Sequence, residues 1–502
     1  MFRDPFAPLT LRQRRRRWLI RLRRALLRPV RPTRRNSSRN GPSNLVLVGV
    51  DTLRADHLGC YGYGKPTSPH LDRLGGQGTL FADVTAGAPW TLPSFASALT
   101  GMMPGLHGAY LSGPVRNMDA QPPSRLNEGV VTLAGHLRAQ GYRTAAFYSN
   151  QFFAFGLAES FDHRVYLNDE AQSVVAAAQD WIGRNGDRPF FCFILLNDPH
   201  EPTTPRPRDL EPFLPAVAAQ GADTSIAMLR ALARWGEGPA PDLGKAADIT
   251  SPEIQAALAV KLAIYDASIH QVDRAVGELE DQLVRWDLGD VTLRAVFSDH
   301  GEEFLDHWEY ARSCDHDPRG ICGIGHGHSL FKEVLRVPWL AWGPGVPTGV
   351  RRQEPVSLLD LAPTLLDWLG LPTLPAHRGL PGDMAPLLTG HGLARPASPD
   401  PDRVVLSEAL AYGPDLVAVR RGRWKLVARR DGRPLALFDL KSDAQELRDV
   451  GNREPEVLAE LTAIAKRWRD TGWGATGEEG GNSWNDVDGE VLQRLKDLGY
   501  AE

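Results

Sequence analysis

Hard ligands for a cation stand where the apolar runs of this 502-residue chain end. Asp51 closes the run Leu45-Val46-Leu47-Val48-Gly49-Val50. Asp299 and His300 follow residues 292–298 (TLRAVFS), and Gly301 lets the chain turn away at once. His200 lies in Asn197-Asp198-Pro199-His200, directly after 190–196 (FFCFILL). His326 and His328 sit in a glycine-rich loop, GIGHGHS. Carboxylate and imidazole donors together suit a divalent ion such as zinc, manganese, magnesium or calcium. The candidate ligands are Asp51, Asp198, His200, Asp299, His300, His326 and His328, drawn from segments far apart in sequence. A single strand-end carboxylate reads equally well as a helix cap or a loop brace. Their recurrence in separate segments is what points to a metal centre.

A nucleophile is suggested by residues 88–101 (APWTLPSFASALTG), where Thr91 precedes Pro93-Ser94 and a small-residue helical run. A hydroxyl at a helix N-terminus gains from unpaired backbone N–H groups and the dipole, which favour its anionic form and an anionic substrate. The competing reading is that Thr91 merely caps that helix.

These residues need a scaffold, and the apolar pattern supplies one. Residues 45–50, 143–148, 190–196, 292–298 and 337–342 read as strands buried on both faces. Helical patterns separate them. Thr132 caps one that stops at Gly141. Ser251-Pro252-Glu253 opens a long amphipathic helix through Leu283, and Ser357 starts another. Alternating strands and helices predict an α/β domain with a mainly parallel central sheet, whose ligands gather at the carboxyl ends of strands. Beyond residue 400 the pattern becomes short strands around Gly422 and Asp431-Gly432, a small antiparallel sheet, with a helix over 454–468. The expected division is a basic arm and linker (1–43), a catalytic α/β domain (44–400), a small α+β subdomain (401–470), and a loop with a terminal helix (471–502).

Charge is distributed unevenly. The net charge is -4, but residues 1–40 hold fourteen Arg and one acid, about +13, which leaves the body near -17. An acidic body excludes a general nucleic-acid binder. The Arg-rich stretch 12–35 could lie on an anionic membrane surface, with Trp18, Leu19, Leu22, Leu26 and Leu27 near helical spacing; a disordered basic arm and a misassigned start are the other readings. No run approaches the ~20 apolar residues of a membrane span. Arg21 interrupts the only apolar stretch near the N-terminus, so no signal peptide is recognisable and a cytoplasmic location is expected. Four cysteines are too few for a disulfide framework. Cys314 and Cys322, close together beside His316, could pair, hold a small metal clip or remain thiols.

Several segments, in order over roughly 44–500, resemble the sulfatase family of the alkaline-phosphatase superfamily. Residues 44–78 (NLVLVGVDTLRADHLGCYGYGKPTSPHLDRLGGQG) are similar to its opening, with Asp51 on the first metal-binding aspartate. APWTLPSFASALTG resembles the C-x-P-S-R nucleophile segment, with Thr91 on the cysteine. NDPHEP (197–202) resembles D-P-H-x-P, SDHGEE (298–303) the second metal motif, and HGHSLFKEVLRVPW (326–339) the histidine loop. Residues 355–372, RRGRWKLV, LFDLKSDAQE and the final LKDLGY look like later landmarks. The resemblance implies metal ligands Asp51, Asp299 and His300, and active-site histidines His200 and His326. The departures matter as much. Thr91 cannot become formylglycine, Phe95 stands on the motif's arginine, Thr52 replaces one of two adjacent aspartates, and His300 stands where many sulfatases have asparagine. Lys332 falls out of register with the family's lysine, and its role is not carried over.

The resemblance, so amended, implies a metal-dependent hydrolase of sulfate or phosphate esters. The cation, which Thr91 joins as a ligand, would lower the pKa of the Thr91 hydroxyl, and Thr91 would form a covalent ester with sulfur or phosphorus. His200 would serve as the acid for the leaving group, and His326 would either assist or bind a second ion with Asp198 or His200. The substrate would be a small-molecule, glycan or lipid ester, including phosphomonoesters and phosphodiesters. Two alternatives stand beside this: transfer of a phosphoryl or phosphoethanolamine group to a lipid or glycan alcohol, and an inactive binding homologue.

Overall fold

The computed structural model describes residues 43–113, 115–235, 239–313, 322–375, 389–393, 400 and 403–470. The basic arm, Cys314, His316 and the terminal segment 471–502 lie outside them. Among the described residues no helix is long and apolar enough to cross a membrane.

The apolar runs form the core of a twisted nine-stranded sheet. Its main strands are β1 (Asn44–Val50), β2 (Thr79–Thr85), β3 (Arg143–Tyr148), β4 (His163–Tyr166), β5 (Phe190–Leu196), β6 (Thr292–Ser298), β7 (Arg336–Trp342) and β8 (Val350–Arg352). They lie in the order β8-β2-β7-β6-β1-β5-β3-β4, and the short segment Val356–Ser357 pairs along β2. From β6 to β4 the pairings are parallel; β7 runs antiparallel to both neighbours. β1, β5 and β6 are buried throughout because helices cover both faces, which is why each reads as an uninterrupted apolar run.

Helices α1 (Thr91–Thr100) and α2 (Leu133–Ala139) belong to one side of the sheet. On the other lie α3 (Ala171–Asn185) and the 34-residue α4 (Pro252–Arg285). The hydroxyl of Thr132 accepts from Gly135 N–H, and that of Ser251 accepts from Ile254 N–H, so both predicted caps form. Ser357 forms a capping box with Asp360 ahead of α5 (Leu361–Trp368).

A separate antiparallel sheet follows, built from β9 (Val404–Glu408), β10 (Leu416–Arg421), β11 (Trp424–Arg429) and β12 (Pro434–Asp439). Helix α6 (Pro455–Asp470) packs on it through Leu461, Ala465 and Trp468. Its first strand is stitched to the segment before Thr91: Ser407 Oγ donates to Ala86 O, and Glu408 N–H donates to Gly87 O. The architecture is therefore α/β, with a mainly parallel central sheet and a small C-terminal antiparallel one.

One close approach ties sheet to helix. Phe95 of α1 is fully buried and edge-on to Phe153, Phe193 and Phe297. A Cβ at position 49 would lie 2.6 Å from its ring, so β1 needs glycine there.

Candidate active site

Four adjacent strands deliver polar residues from their carboxyl ends. β6 gives Asp299 and His300, β1 gives Asp51, β5 gives Asn197 to His200, and β3 gives Asn150. Thr91 comes from the first turn of α1.

The backbone that aims Asp51 is strained. Thr52 sits at φ 56°, a region that costs a β-branched residue on the order of 1–3 kcal/mol. Three buried hydrogen bonds hold it there. Tyr265 OH donates to Thr52 O (2.6 Å), Arg54 N–H donates to Tyr265 OH (2.9 Å), and Leu53 N–H donates to Ser298 Oγ (2.9 Å). Ser298 Oγ in turn donates to His300 O (2.7 Å), which couples the exits of β1 and β6. Gly301 follows because a Cβ there would meet Glu333 O at 1.9 Å. Ser94 Oγ donates to Asp299 O (2.6 Å) and docks α1 on the same loop.

Asp51, Asp299 and His300 are completely buried, and each offers a ligand atom within 4.8 Å of the others. His300 Nδ1–H donates to Gly301 O at 2.9 Å. Its Nε2 then faces Asp51 Oδ1 and Asp299 Oδ2, both at 3.3 Å. Among the described residues, Asp51 Oδ1 and both Asp299 oxygens have no hydrogen-bond partner. Buried carboxylates without donors are costly, so this donor set fits a divalent cation. The charge imbalance has visible consequences. Burial opposes an imidazolium, yet Asp299 and Asp51 push His300 up to about 9. Burial, with the Asp51 charge, drives the Asp299 carboxyl well above the usual range.

Thr91 does not cap its helix: Trp90 occupies the cap position, and no side chain bonds there. Thr91 Oγ1 instead lies 3.4 Å from His300 Nε2 and 3.4 Å from Asn150 Nδ2. Sequence reasoning missed Asn150. Its amide also donates to Asp51 Oδ2 (2.6 Å) and to Asn197 Oδ1 (3.2 Å), which bridges Thr91, Asp51 and the β5 exit. The available signal was its position two residues past β3.

The histidines divide. The His300 and His326 ring centroids are 4.4 Å apart, and those of His326 and His200 5.0 Å. His326 Nδ1 faces the Glu302 carboxylate at 3.2 Å, and burial pushes Glu302 up to about 8. His200 Nδ1–H donates to Glu201 O, and burial lowers this imidazole below its ordinary pKa. A neutral ring held this way presents Nε2 as an acceptor. His200 can therefore deliver a proton only after taking one up. His328 is turned aside, with Nε2 2.7 Å from Glu303. Asp198 is also directed away: its Oδ1 accepts from Ala171 N–H at the start of α3 and from Gln271.

A profile of the sulfatase family matches residues 43–371. The chain belongs to the sulfatase family. It is 23% identical to an N-acetylgalactosamine-6-O-sulfatase of Bacteroides thetaiotaomicron, over 86% of this chain and 93% of that protein. A choline-sulfatase of Rhizobium meliloti is 34% identical over 40% of this chain and 35% of its own length. Among solved structures, a phosphonate monoester hydrolase of Agrobacterium radiobacter superposes with a TM-score of 0.62 at 21% identity, covering 85% of this chain and 96% of its own. A 2-O GAG sulfatase superposes with a TM-score of 0.58 at 20% identity, covering 90% of this chain and 96% of its own. Within this sulfatase-family hydrolase, the position that carries arginine in the resembling motif is filled by Phe95, which points into the core. Among the described residues, no lysine or arginine is hydrogen-bonded to Asp51, Thr91, Asp299 or His300.

Proposed function

We propose that this sulfatase-family protein hydrolyses sulfate or phosphate esters with Thr91 as the nucleophile. The observation that carries the reading is the Thr91 hydroxyl, which is not used as a helix cap and lies 3.4 Å from the imidazole nitrogen that faces Asp51 Oδ1 and Asp299 Oδ2. Asp51, Asp299, His300 and Thr91 would hold the divalent cation. When bound, that ion supplies charge to stabilise the alkoxide and the anionic ester.

The chain's own residues do the rest. Asn150 fixes Thr91 and Asp51 relative to each other. Thr91 Oγ attacks sulfur or phosphorus, the ester bond to the substrate alcohol breaks, and the group is held as a threonine ester until water releases it. His200 and His326 are the proton carriers. Each has Nδ1 fixed, to the Glu201 carbonyl and the Glu302 carboxylate, which leaves Nε2 to take up a proton and pass it to the departing oxygen. With Phe95 in the core, imidazoles and the cation must balance the substrate's charge.

The relatives named for N-acetylgalactosamine 6-O-sulfate and choline sulfate support a sulfate ester, and a glycan ester is the first substrate class to try. The phosphonate monoester hydrolase shares only the fold, and is the reason to include phosphorus esters. The test is Thr91→Val against para-nitrophenyl sulfate, phosphate and phosphonate esters, with metal content measured alongside. Turnover should fall by at least about a thousandfold while metal is retained, in line with removal of a nucleophile. A variant as active as the wild type would overturn the assignment.

A further inference from the structure

A second charged cavity lies on the same edge of the central sheet. Its volume is about 280 Å³, in the seam between the central and C-terminal sheets. Because β7 is antiparallel, its first residue, Arg336, pairs with Thr85 at the end of β2 and lies beyond the end of β6. β2 is three strands from β1, about 14 Å at the usual strand spacing. The cavity is therefore near the Thr91 cluster without being part of it.

Five cations line it: Lys332, Arg336, Arg351, Arg420 and Lys425. The two lining acids are already taken. Asp83 is held by both terminal nitrogens of Arg420, and Glu446 by Lys425 Nζ at 2.7 and 2.9 Å. The Arg420–Asp83 pair joins β10 to β2, so it braces the seam. Among the described residues, the other three positive charges have no carboxylate partner. Arg336 donates to Ala82 O and Arg351 to Cys60 O. The Lys332 ammonium has no hydrogen-bond acceptor among the described residues, and Asp56, whose carboxyl feels its charge, is already gripped by Arg54. Converging cations in a preformed cavity favour an oxyanion and repel cationic ligands. The volume approaches that of small-ligand pockets, so the anion can carry a sugar-sized group.

We propose that this seam is a second oxyanion site, which binds the sulfate or phosphate group of a small molecule, or the free ion, apart from the Thr91 centre. It does not rest on the role of Thr91. Titration of the full chain with inorganic sulfate, and separately phosphate, at low ionic strength tests it, because salt screens such attraction. Anion binding that survives Asp299→Asn but weakens at least tenfold in Lys332→Ala/Arg336→Ala is the expected result. If the double variant does not fold, Lys332→Gln carries the same comparison. Binding unchanged in the charge variants, or absent from wild type, overturns the proposal. Kinetics then separate the sources. A KM raised by the double variant for a disulfated oligosaccharide, but not for a monosulfated sugar, assigns the site to a second group on the substrate. Unchanged KM for both assigns it to the free ion.

Discussion

Restoring an arginine at position 95 should unfold this protein rather than improve its anion binding. Phe95 is fully buried against three aromatic edges, with Phe153, Phe193 and Phe297 centroids at 6.2, 6.0 and 5.6 Å. Losing a buried phenylalanine ring costs about 3–5 kcal/mol. The edge-to-face pairs add about 0.5–1.5 kcal/mol each. A guanidinium in that cavity would also leave water unpartnered, for several kcal/mol more. Together these approach or exceed the roughly 5–15 kcal/mol by which a typical domain is stable. Phe95→Leu, which keeps most of the apolar volume but gives up the three edge-to-face pairs, should cost about 2–4 kcal/mol and keep the site intact. Soluble yield and thermal melting of Phe95→Leu and Phe95→Arg, compared side by side, read the difference. If Phe95→Arg melts with the wild type and binds sulfate more tightly, the ring's position in the core is wrong, and so is the claim that imidazoles and the cation balance the substrate's charge.

Other perturbations follow from the same geometry. Asn150→Ala should lower kcat/KM or metal affinity about 10–100-fold, as loss of an outer partner of a ligand does; steady-state kinetics indistinguishable from wild type would remove Asn150 from the site. Tyr265→Phe leaves the buried Thr52 carbonyl and Arg54 N–H without a partner, so it should destabilise by about 1–3 kcal/mol and loosen metal; an unchanged melting temperature would argue against a held, strained Thr52. Burial pushes Glu408 up to about 7 from 4.5, so the folded state binds this proton more tightly than the unfolded state. Its stabilising contribution is complete below about pH 4.5 and is lost as pH rises through about 7, some 3 kcal/mol in all. Glu408→Gln should flatten that part of the stability–pH curve, and an equally steep curve in the variant would count against a raised Glu408.

The central scaffold is legible because strands buried on both faces appear as unbroken apolar runs, and the four parallel runs β1, β3, β5 and β6 lead within two residues into Asp51, Asn150, Asn197 and Asp299, whereas the antiparallel β7 does not. β2 escapes that reading. Asp83 and Thr85 face the seam with the C-terminal sheet, where Arg420 waits for Asp83, and a local window cannot see a partner 337 residues away. Asn150 was hidden for another reason: an amide draws less attention than a carboxylate, although it obeys the same strand-end rule. Asp198 is the converse case. Its residue type suits a metal, but the start of α3 and Gln271 occupy it. The replacement of arginine by Phe95 can be seen in sequence. Its physical meaning required β1, since only the contact with Gly49 shows that the ring fills the space beneath the site. The positive φ of Thr52 has no sequence signal, because threonine is a poor residue for that conformation.

The most direct measurement is acid-quenched peptide mapping by mass spectrometry after brief reaction with a sulfate or phosphate ester. A sulfuryl or phosphoryl group should be found on the Thr91 hydroxyl, formed and discharged at rates compatible with turnover, and should be missing from Thr91→Val. Full turnover with that threonine never esterified, at any quench time, would contradict the proposal that it is the attacking group.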